Sequence, residues 1–247
     1  MKQTRLLMGM PITVTIEDAA ATAADCDAVY DYFSSVDAKY STYKDDSEIT
    51  KINRGLPEAE WSEEMRQVLR LCEETKLATN GYFDIHHQGK LDPSGLVKGW
   101  AIQQAAELLR GRGKHNFSID AGGDVQVEGL KAAHEPWRIG IRNPFKRDEI
   151  VKVVGVTDEG VATSGTYIRG QHIYNPFAPA KALTEVASLT VIGPDIYEAD
   201  RFATAAFAMG KAGIRFIEAL PDCEGYMIER DGMATLTTGF DRYAVAA

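Results

Sequence analysis

The segment Ile12-Thr13-Val14-Thr15-Ile16 alternates apolar and polar side chains, a period typical of a strand with one buried face. Residues 19–40 follow almost directly, and between Cys26 and Val36 their apolar side chains recur at helical spacing. A strand that passes directly into an amphipathic helix predicts a protein that combines sheet and helices. The sequence therefore predicts an α+β fold.

The same two periodicities divide the rest of the chain. Ser62-Glu63-Glu64 predicts the start of a second helix, which ends near the turn signal Asn80-Gly81. Further helices are predicted over residues 97–109, 197–209 and 214–220, and a long irregular loop over residues 82–97. Strand-like runs lie at 118–119, 125–127, 137–141, 151–156 and 189–192, and residues 225–238 predict a hairpin. No linker or repeat interrupts the pattern, so residues 1–247 are predicted to form a single compact domain with mixed or antiparallel sheets and packed helices.

Composition excludes several classes of protein. The chain has 247 residues, a formal net charge of -9, 45% hydrophobic and 26% charged residues, which is typical of a globular protein rather than a disordered one. An acidic surface disfavours nonspecific binding to nucleic acid, because phosphate contacts require clustered Lys and Arg. The three cysteines have no metal-ligand spacing, and the first residues form no clean leader, so a cytoplasmic protein without membrane insertion is expected.

Residues 92–100, Asp92-Pro93-Ser94-Gly95-Leu96-Val97-Lys98-Gly99-Trp100, form a turn that leads into a helix and carry one lysine. Backbone amides at a helix N-terminus together with a lysine suit a phosphate group. The spacing is not that of a Walker A loop, and a turn followed by an ordinary helix cap explains the same residues.

Two further segments combine glycine with polar side chains. Asp120-Ala121-Gly122-Gly123-Asp124 follows a short strand and allows either close approach of a ligand or a simple tight turn. Thr163-Ser164-Gly165 precedes His172 and could position phosphate oxygens or accept a proton. No Gly-x-Ser-x-Gly elbow is present, which disfavours a serine hydrolase.

A possible metal site lies on the helix predicted over 197–209. Asp200 and Thr204 are four residues apart and project from one helical face, where carboxylate, hydroxyl and carbonyl oxygens would suit Mg²⁺. A surface aspartate beside a core-facing threonine explains the pair equally well. The adjacent His86 and His87 are a poor metal site, because neighbouring residues point in different directions.

Taken in order, these motifs resemble the ApbE-type FAD:protein FMN transferase family over nearly the whole chain. The matching pieces are Met8-Gly9-Met10, Tyr43 with Ser47-Glu48-Ile49 and Asn53, Gly81-Tyr82-Phe83-Asp84, Asp92 through Lys98-Gly99, Ala121-Gly122-Gly123-Asp124, Thr163-Ser164-Gly165, His172-Ile173, and Ala199-Asp200 with Thr204. The sequence departs from the family's pattern at Met10, where the family usually has threonine, and at Gly95, where it often has alanine. Neither departure removes a side chain on which the implied metal site depends.

The resemblance implies an ApbE-like domain that cleaves FAD with Mg²⁺, transfers FMN to a Ser or Thr of an acceptor flavoprotein, and releases AMP. It implies that Asp200, Thr204 and the Gly95 carbonyl bind Mg²⁺. The FAD site would consist of Met8, Tyr43, Tyr82, Phe83, Asp84, Asp92, Lys98 and Ile173, with His172, Asp200 and Lys98 as catalytic residues. The segment from Asp158 to Thr166 loosely resembles the acceptor motif of flavinylated targets, so transfer to the protein's own chain is a lesser interpretation. An FAD pyrophosphatase and a flavin carrier without turnover are the alternatives.

Overall fold

The computed structural model describes residues 1–131, 134–146, 148–165 and 173–245. Its strands are β1 (Lys2–Leu7), β2 (Met10–Ile16), β3 (His86–His87), β4 (Lys90–Leu91), β5 (Phe117–Ala121), β6 (Asp124–Glu128), β7 (Trp137–Arg142), β8 (Ile150–Val156), β9 (Gly160–Gly165), β10 (Val186–Gly193), β11 (Glu224–Glu229) and β12 (Ala234–Leu236). Within these ranges, eight strands form one sheet in the order β1-β2-β5-β6-β9-β10-β11-β12, and every neighbouring pair is antiparallel. Two hairpins, β3-β4 and β7-β8, lie outside this sheet.

Each face of the large sheet is covered by a different layer. The helices are α1 (Ala23–Tyr40), α2 (Glu48–Asn53), α3 (Glu63–Ala78), α4 (Ser94–Gly111), α5 (Ile196–Ala208) and α6 (Gly213–Glu218). They form the larger core against one face, with Val14, Phe33 and Phe207 among its buried residues. On the other face, Trp137 and Val154 of the β7-β8 hairpin belong to a second, smaller core. Strand β10 lies between the layers and is buried at every position.

The structure confirms the α+β prediction and most of its elements. Helix α1 begins at Ala23, after the predicted position, because Asp25 accepts hydrogen bonds from the Thr22 amide and hydroxyl there. The alternation over residues 12–16 lies within β2, where Ile12, Val14 and Ile16 are fully buried.

The prediction of an irregular loop over residues 82–97 was wrong in two places. The hairpin β3-β4 interrupts it, and α4 begins at Ser94 rather than near Val97. Asn53 holds the hairpin in place: its side-chain amide donates to the Leu91 carbonyl at 2.9 Å and accepts from the Leu91 amide at 2.8 Å. Such tertiary contacts have no local signature in sequence.

Asp25 connects the start of α1 to the segment after α4. Its Oδ1 accepts from the Arg112 guanidinium at 2.8 Å, and the Lys114 ammonium lies 3.4 Å from Oδ2. Burial raises the pKa of Asp25, but hydrogen bonds from the Thr22 amide and from Arg112 outweigh burial and hold this pKa far below its usual range.

The three cysteines are unpaired and buried. Among the helices described, none is both long and apolar enough to span a bilayer.

Candidate functional site

Helices α4 and α5 touch where Gly99 faces Asp200. The Gly99 amide donates to Asp200 Oδ2 at 2.8 Å. A Cβ atom at residue 99 would lie 2.6 Å from the Asp200 Cβ and 2.8 Å from the Ile196 carbonyl oxygen, so only glycine fits. This close approach places a carboxylate from one helix directly against the backbone of the other.

A second buried carboxylate faces the same point from the sheet. Asp124 begins β6, and its Oδ1 accepts from the Thr163 amide of β9 at 3.0 Å. Lys98 contacts Asp124 Oδ2, and its ammonium lies 3.7 Å from Asp200 Oδ1. Asp124 and Asp200 are 2% and 3% exposed. One lysine therefore lies between two buried carboxylates, and with both carboxylates ionised the group carries one net negative charge.

The pKa of Asp200 reflects this environment. Burial raises it most strongly, because an ionised carboxylate is poorly solvated there, and the neighbouring Asp124 raises it further. The Lys98 ammonium and the Gly99 amide oppose this shift, but the net pKa lies well above that of an ordinary aspartate. A bound cation would favour the ionised form.

These groups lie at the base of a cleft whose empty volume, mouth included, is about 1110 Å³. The cleft is lined by several residues that the sequence analysis assigned to the site: Tyr82, Phe83, Asp84, Asp92, Gly95, Lys98, Ile173, Asp200 and Thr204. The structure thus brings together residues from segments that are distant in the chain.

Two other predicted site residues, Met8 and Tyr43, are not among the described residues that line the cleft. Tyr43 lies between α1 and α2 and is 98% exposed, and Met8 packs beside the larger core. No described contact brings either side chain to the cleft. His172 lies outside the described residues. The proposed roles of all three stay predictions.

Two of the cleft carboxylates, Asp92 and Asp84, bind neighbouring groups of the protein. Asp92 Oδ1 accepts from the Ser94 amide at 3.0 Å, where α4 begins. Asp84 Oδ2 pairs with the Lys76 ammonium at 2.8 Å. Burial raises the pKa of Asp84, but bonds from Lys76 and His86 outweigh it and lower the pKa below its usual value.

Sequence reasoning did not assign Asp124, His87 or Tyr174 to the site, although all three line the cleft. Asp124 had a signal, because it follows paired glycines directly after a strand. His87 and Tyr174 had none, since their meeting depends on the β3-β4 hairpin packing against residues 173–176.

Asp200, Thr204 and Gly95 line one side of the cleft and carry oxygen atoms that could bind a cation. Among the described residues, no group of three or more His, Cys, Asp and Glu side chains has a metal-binding arrangement. The set around Asp200 differs, because it adds the Thr204 hydroxyl and the Gly95 carbonyl. A Cβ built at Gly95 would lie 3.4 Å from Thr204 Cγ2, so the two residues are neighbours. Hard oxygen donors of this kind suit Mg²⁺.

Comparison with known proteins identifies relatives of this chain by sequence. A model of the ApbE family matches residues 8–89 and 86–227. An FAD:protein FMN transferase of Vibrio cholerae is 30% identical over 130 residues, which is 49% of this chain and 39% of the relative. One from Treponema pallidum is 29% identical over 175 residues, 63% of this chain and 48% of the relative. These alignments span less than half the length of either curated relative.

Solved structures show the same fold over the full chain. The flavin transferase ApbE from Vibrio cholerae superimposes with a TM-score of 0.85 at 21% identity, covering 98% of both chains. The Pseudomonas stutzeri flavinyl transferase ApbE gives 0.85 at 21% identity, covering 100% of this chain and 97% of the other. With the family model matching most of the sequence, the chain belongs to the ApbE family.

Proposed function

We propose that this protein is a Mg²⁺-dependent FAD:protein FMN transferase, which attaches FMN through a phosphoester to a Ser or Thr of an acceptor flavoprotein and releases AMP. The observation that carries the proposal is the buried group of Asp124, Asp200 and Lys98 at the base of the cleft. With both carboxylates ionised, the net negative charge of this group favours binding of a divalent cation. An anionic pyrophosphate needs such a cation to neutralise its charge in an acidic protein. The curated relatives carry the same activity in their names.

The roles of this chain's residues follow from their positions. Asp200, Thr204 and the Gly95 carbonyl would hold Mg²⁺, which when bound supplies positive charge to the pyrophosphate. Lys98 would add a second positive charge beside it, held in place by Asp124. The acceptor oxygen would form a bond to the phosphorus of the FMN half of FAD while the bridging P–O bond to AMP breaks, and AMP would depart with the electron pair of that bond. His172 is the predicted acceptor of the hydroxyl proton.

The test is incubation of the protein with FAD, MgCl₂ and a peptide bearing the acceptor threonine, followed by measurement of AMP and of flavin covalently bound to the peptide. Equal amounts of AMP and bound FMN are expected. AMP with free FMN would instead indicate an FAD pyrophosphatase, and intact FAD on the protein would indicate a carrier without turnover.

A pair of variants on α5 tests the metal site. Asp200→Ala is expected to abolish Mg²⁺-dependent AMP release. Glu198→Gln is the matched control, because Glu198 lies two residues away and pairs with Arg201 rather than lining the cleft. Normal activity in Asp200→Ala would refute the proposed site.

A further inference from the structure

The two adjacent histidines of β3 occupy opposite environments. His86 is exposed, and its Nδ1 lies 3.0 Å from Asp84 Oδ1. His87 is half-buried and lines the cleft. Side chains alternate along a strand, so the hairpin necessarily turns one histidine toward the cleft and the other away from it.

The His87 imidazole lies against the ring of Tyr174. The ring centroids are 4.2 Å apart and the planes are inclined by 33°. Tyr174 is itself fixed, because its hydroxyl donates to the Asp84 carbonyl at 2.7 Å and to the His86 carbonyl at 3.1 Å. Among the described residues the His87 ring makes no hydrogen bond, so the contact with Tyr174 is what orients it.

The other aromatic side chains near the cleft are less suited to bind a planar ligand. Phe83 is only 4% exposed and belongs to the larger core. Tyr82 packs edge-on against Phe177, with ring centroids 4.9 Å apart and planes at 65°. Among the described residues that line the cleft, His87 and Tyr174 form the pair of rings whose planes are closer to parallel.

We propose that His87 and Tyr174 form a stacking platform for a planar heteroaromatic ring of the dinucleotide substrate, with His87 as a specificity-determining residue. This inference rests on the proposed function, since FAD brings two such rings, isoalloxazine and adenine, on either side of its pyrophosphate. Stacking on an aromatic side chain accepts different planar rings, because it requires only that the ligand has a π-face. The platform would hold the ring while Lys98 contacts the phosphates.

The experiment measures the binding of each half of the substrate separately, so that no turnover is needed. FMN binding is followed by quenching of flavin fluorescence, and AMP binding by calorimetry, both without Mg²⁺. The variants are His87→Ala, His87→Phe, which keeps a ring, and His86→Ala as the matched control from the same strand. Circular dichroism confirms that each variant is folded.

His87→Ala is expected to weaken the binding of one ligand about ten-fold or more, whereas His87→Phe retains most of the affinity. Selective loss of FMN binding assigns the platform to isoalloxazine, and selective loss of AMP binding assigns it to adenine. The control His86→Ala should bind both ligands within about two-fold of the parent.

Unchanged affinity for both ligands in His87→Ala would overturn the platform. Normal binding with loss of turnover in both His87→Ala and His87→Phe would also overturn it, because that pattern indicates proton transfer by His87. Failure of the proposed function has a different signature: FAD binds through the platform, but no AMP is released in the transferase assay.

Discussion

Replacement of Gly99 by alanine tests the helix crossing that positions the site. The added Cβ would lie 2.6 Å from the Asp200 Cβ, 2.8 Å from the Ile196 carbonyl oxygen and 3.0 Å from Asp200 Oδ2. Two of these three contacts are with atoms that a rotamer change cannot move, so α4 and α5 must separate.

The magnitude follows from three opposing effects. Alanine is favoured over glycine inside a helix by about 1 kcal/mol. Overpacking costs about 1–3 kcal/mol, and weakening the Gly99 hydrogen bond to a buried carboxylate costs about 1.5–3 kcal/mol. We therefore expect Gly99→Ala to lower the free energy of unfolding by about 1.5–5 kcal/mol.

Gly95 provides the matched control, one turn earlier on the same helix. A Cβ there would lie 3.3 Å from Phe83 Cε2 and 3.4 Å from Thr204 Cγ2, tight contacts with side-chain atoms only. Gain in helix propensity offsets this crowding, and Gly95→Ala should change stability by less than about 1 kcal/mol. The same variant keeps the carbonyl and should retain Mg²⁺-dependent activity.

Urea denaturation measures both variants, with the slope m compared to confirm a common unfolding transition. A Gly99→Ala protein as stable as Gly95→Ala would refute the reasoning, because it would show that the two helices do not meet as closely as the structure describes.

Three further predictions concern groups that hold the fold around the site. Gln126→Ala should lower the free energy of unfolding by about 2–3 kcal/mol, since the buried Gln126 Oε1 accepts from the Ile196 amide at 2.8 Å; a loss under about 0.5 kcal/mol in urea denaturation would contradict this. Asp25→Asn should destabilise the protein at neutral pH. Because the pKa of Asp25 is lowered by folding, its contribution is present above the unfolded pKa of about 4 and disappears as the pH falls. The difference from the parent should therefore shrink in thermal melts taken from pH 6 to about pH 3, and a constant difference would be inconsistent with the ion pairs. Asn53→Ala should free the Leu91 backbone and increase amide hydrogen exchange in the β3-β4 hairpin, with unchanged protection there counting against this anchor.

The sequence predicted those elements whose periodicity is strong. The alternation over residues 12–16 and the helical spacing in α1, α3 and α5 each reflect a buried face that local sequence records. Strand β9 was missed because Gly160–Gly165 consists mostly of small residues and has a glycine at each end. Its burial results from α5, whose Ile196 amide lies only 2.2 Å from where a Gly160 Cβ would stand.

The candidate site was predictable to a similar degree. The order of the motifs along the chain assigned Lys98, Asp200 and Thr204 to one site from sequence alone. It could not place Tyr43, since exposure of a loop side chain depends on packing between α1 and α2. Nor could it single out His87 from His86, because strand register decides which of two adjacent side chains enters the cleft.

The pairing of β2 with β5 has a consequence for synthesis of the protein. Ile12 lies opposite Ala121, so a strand made at the start of translation stays without its inner neighbour until the nascent chain has passed that residue. Strand β9 joins β6 later still, through Val125 and Val161, and β10, β11 and β12 extend the sheet after that. Such non-local pairing makes folding slow and leaves apolar strand edges open on the ribosome. An aggregation-prone strand edge is therefore exposed during synthesis until residue 121 has emerged.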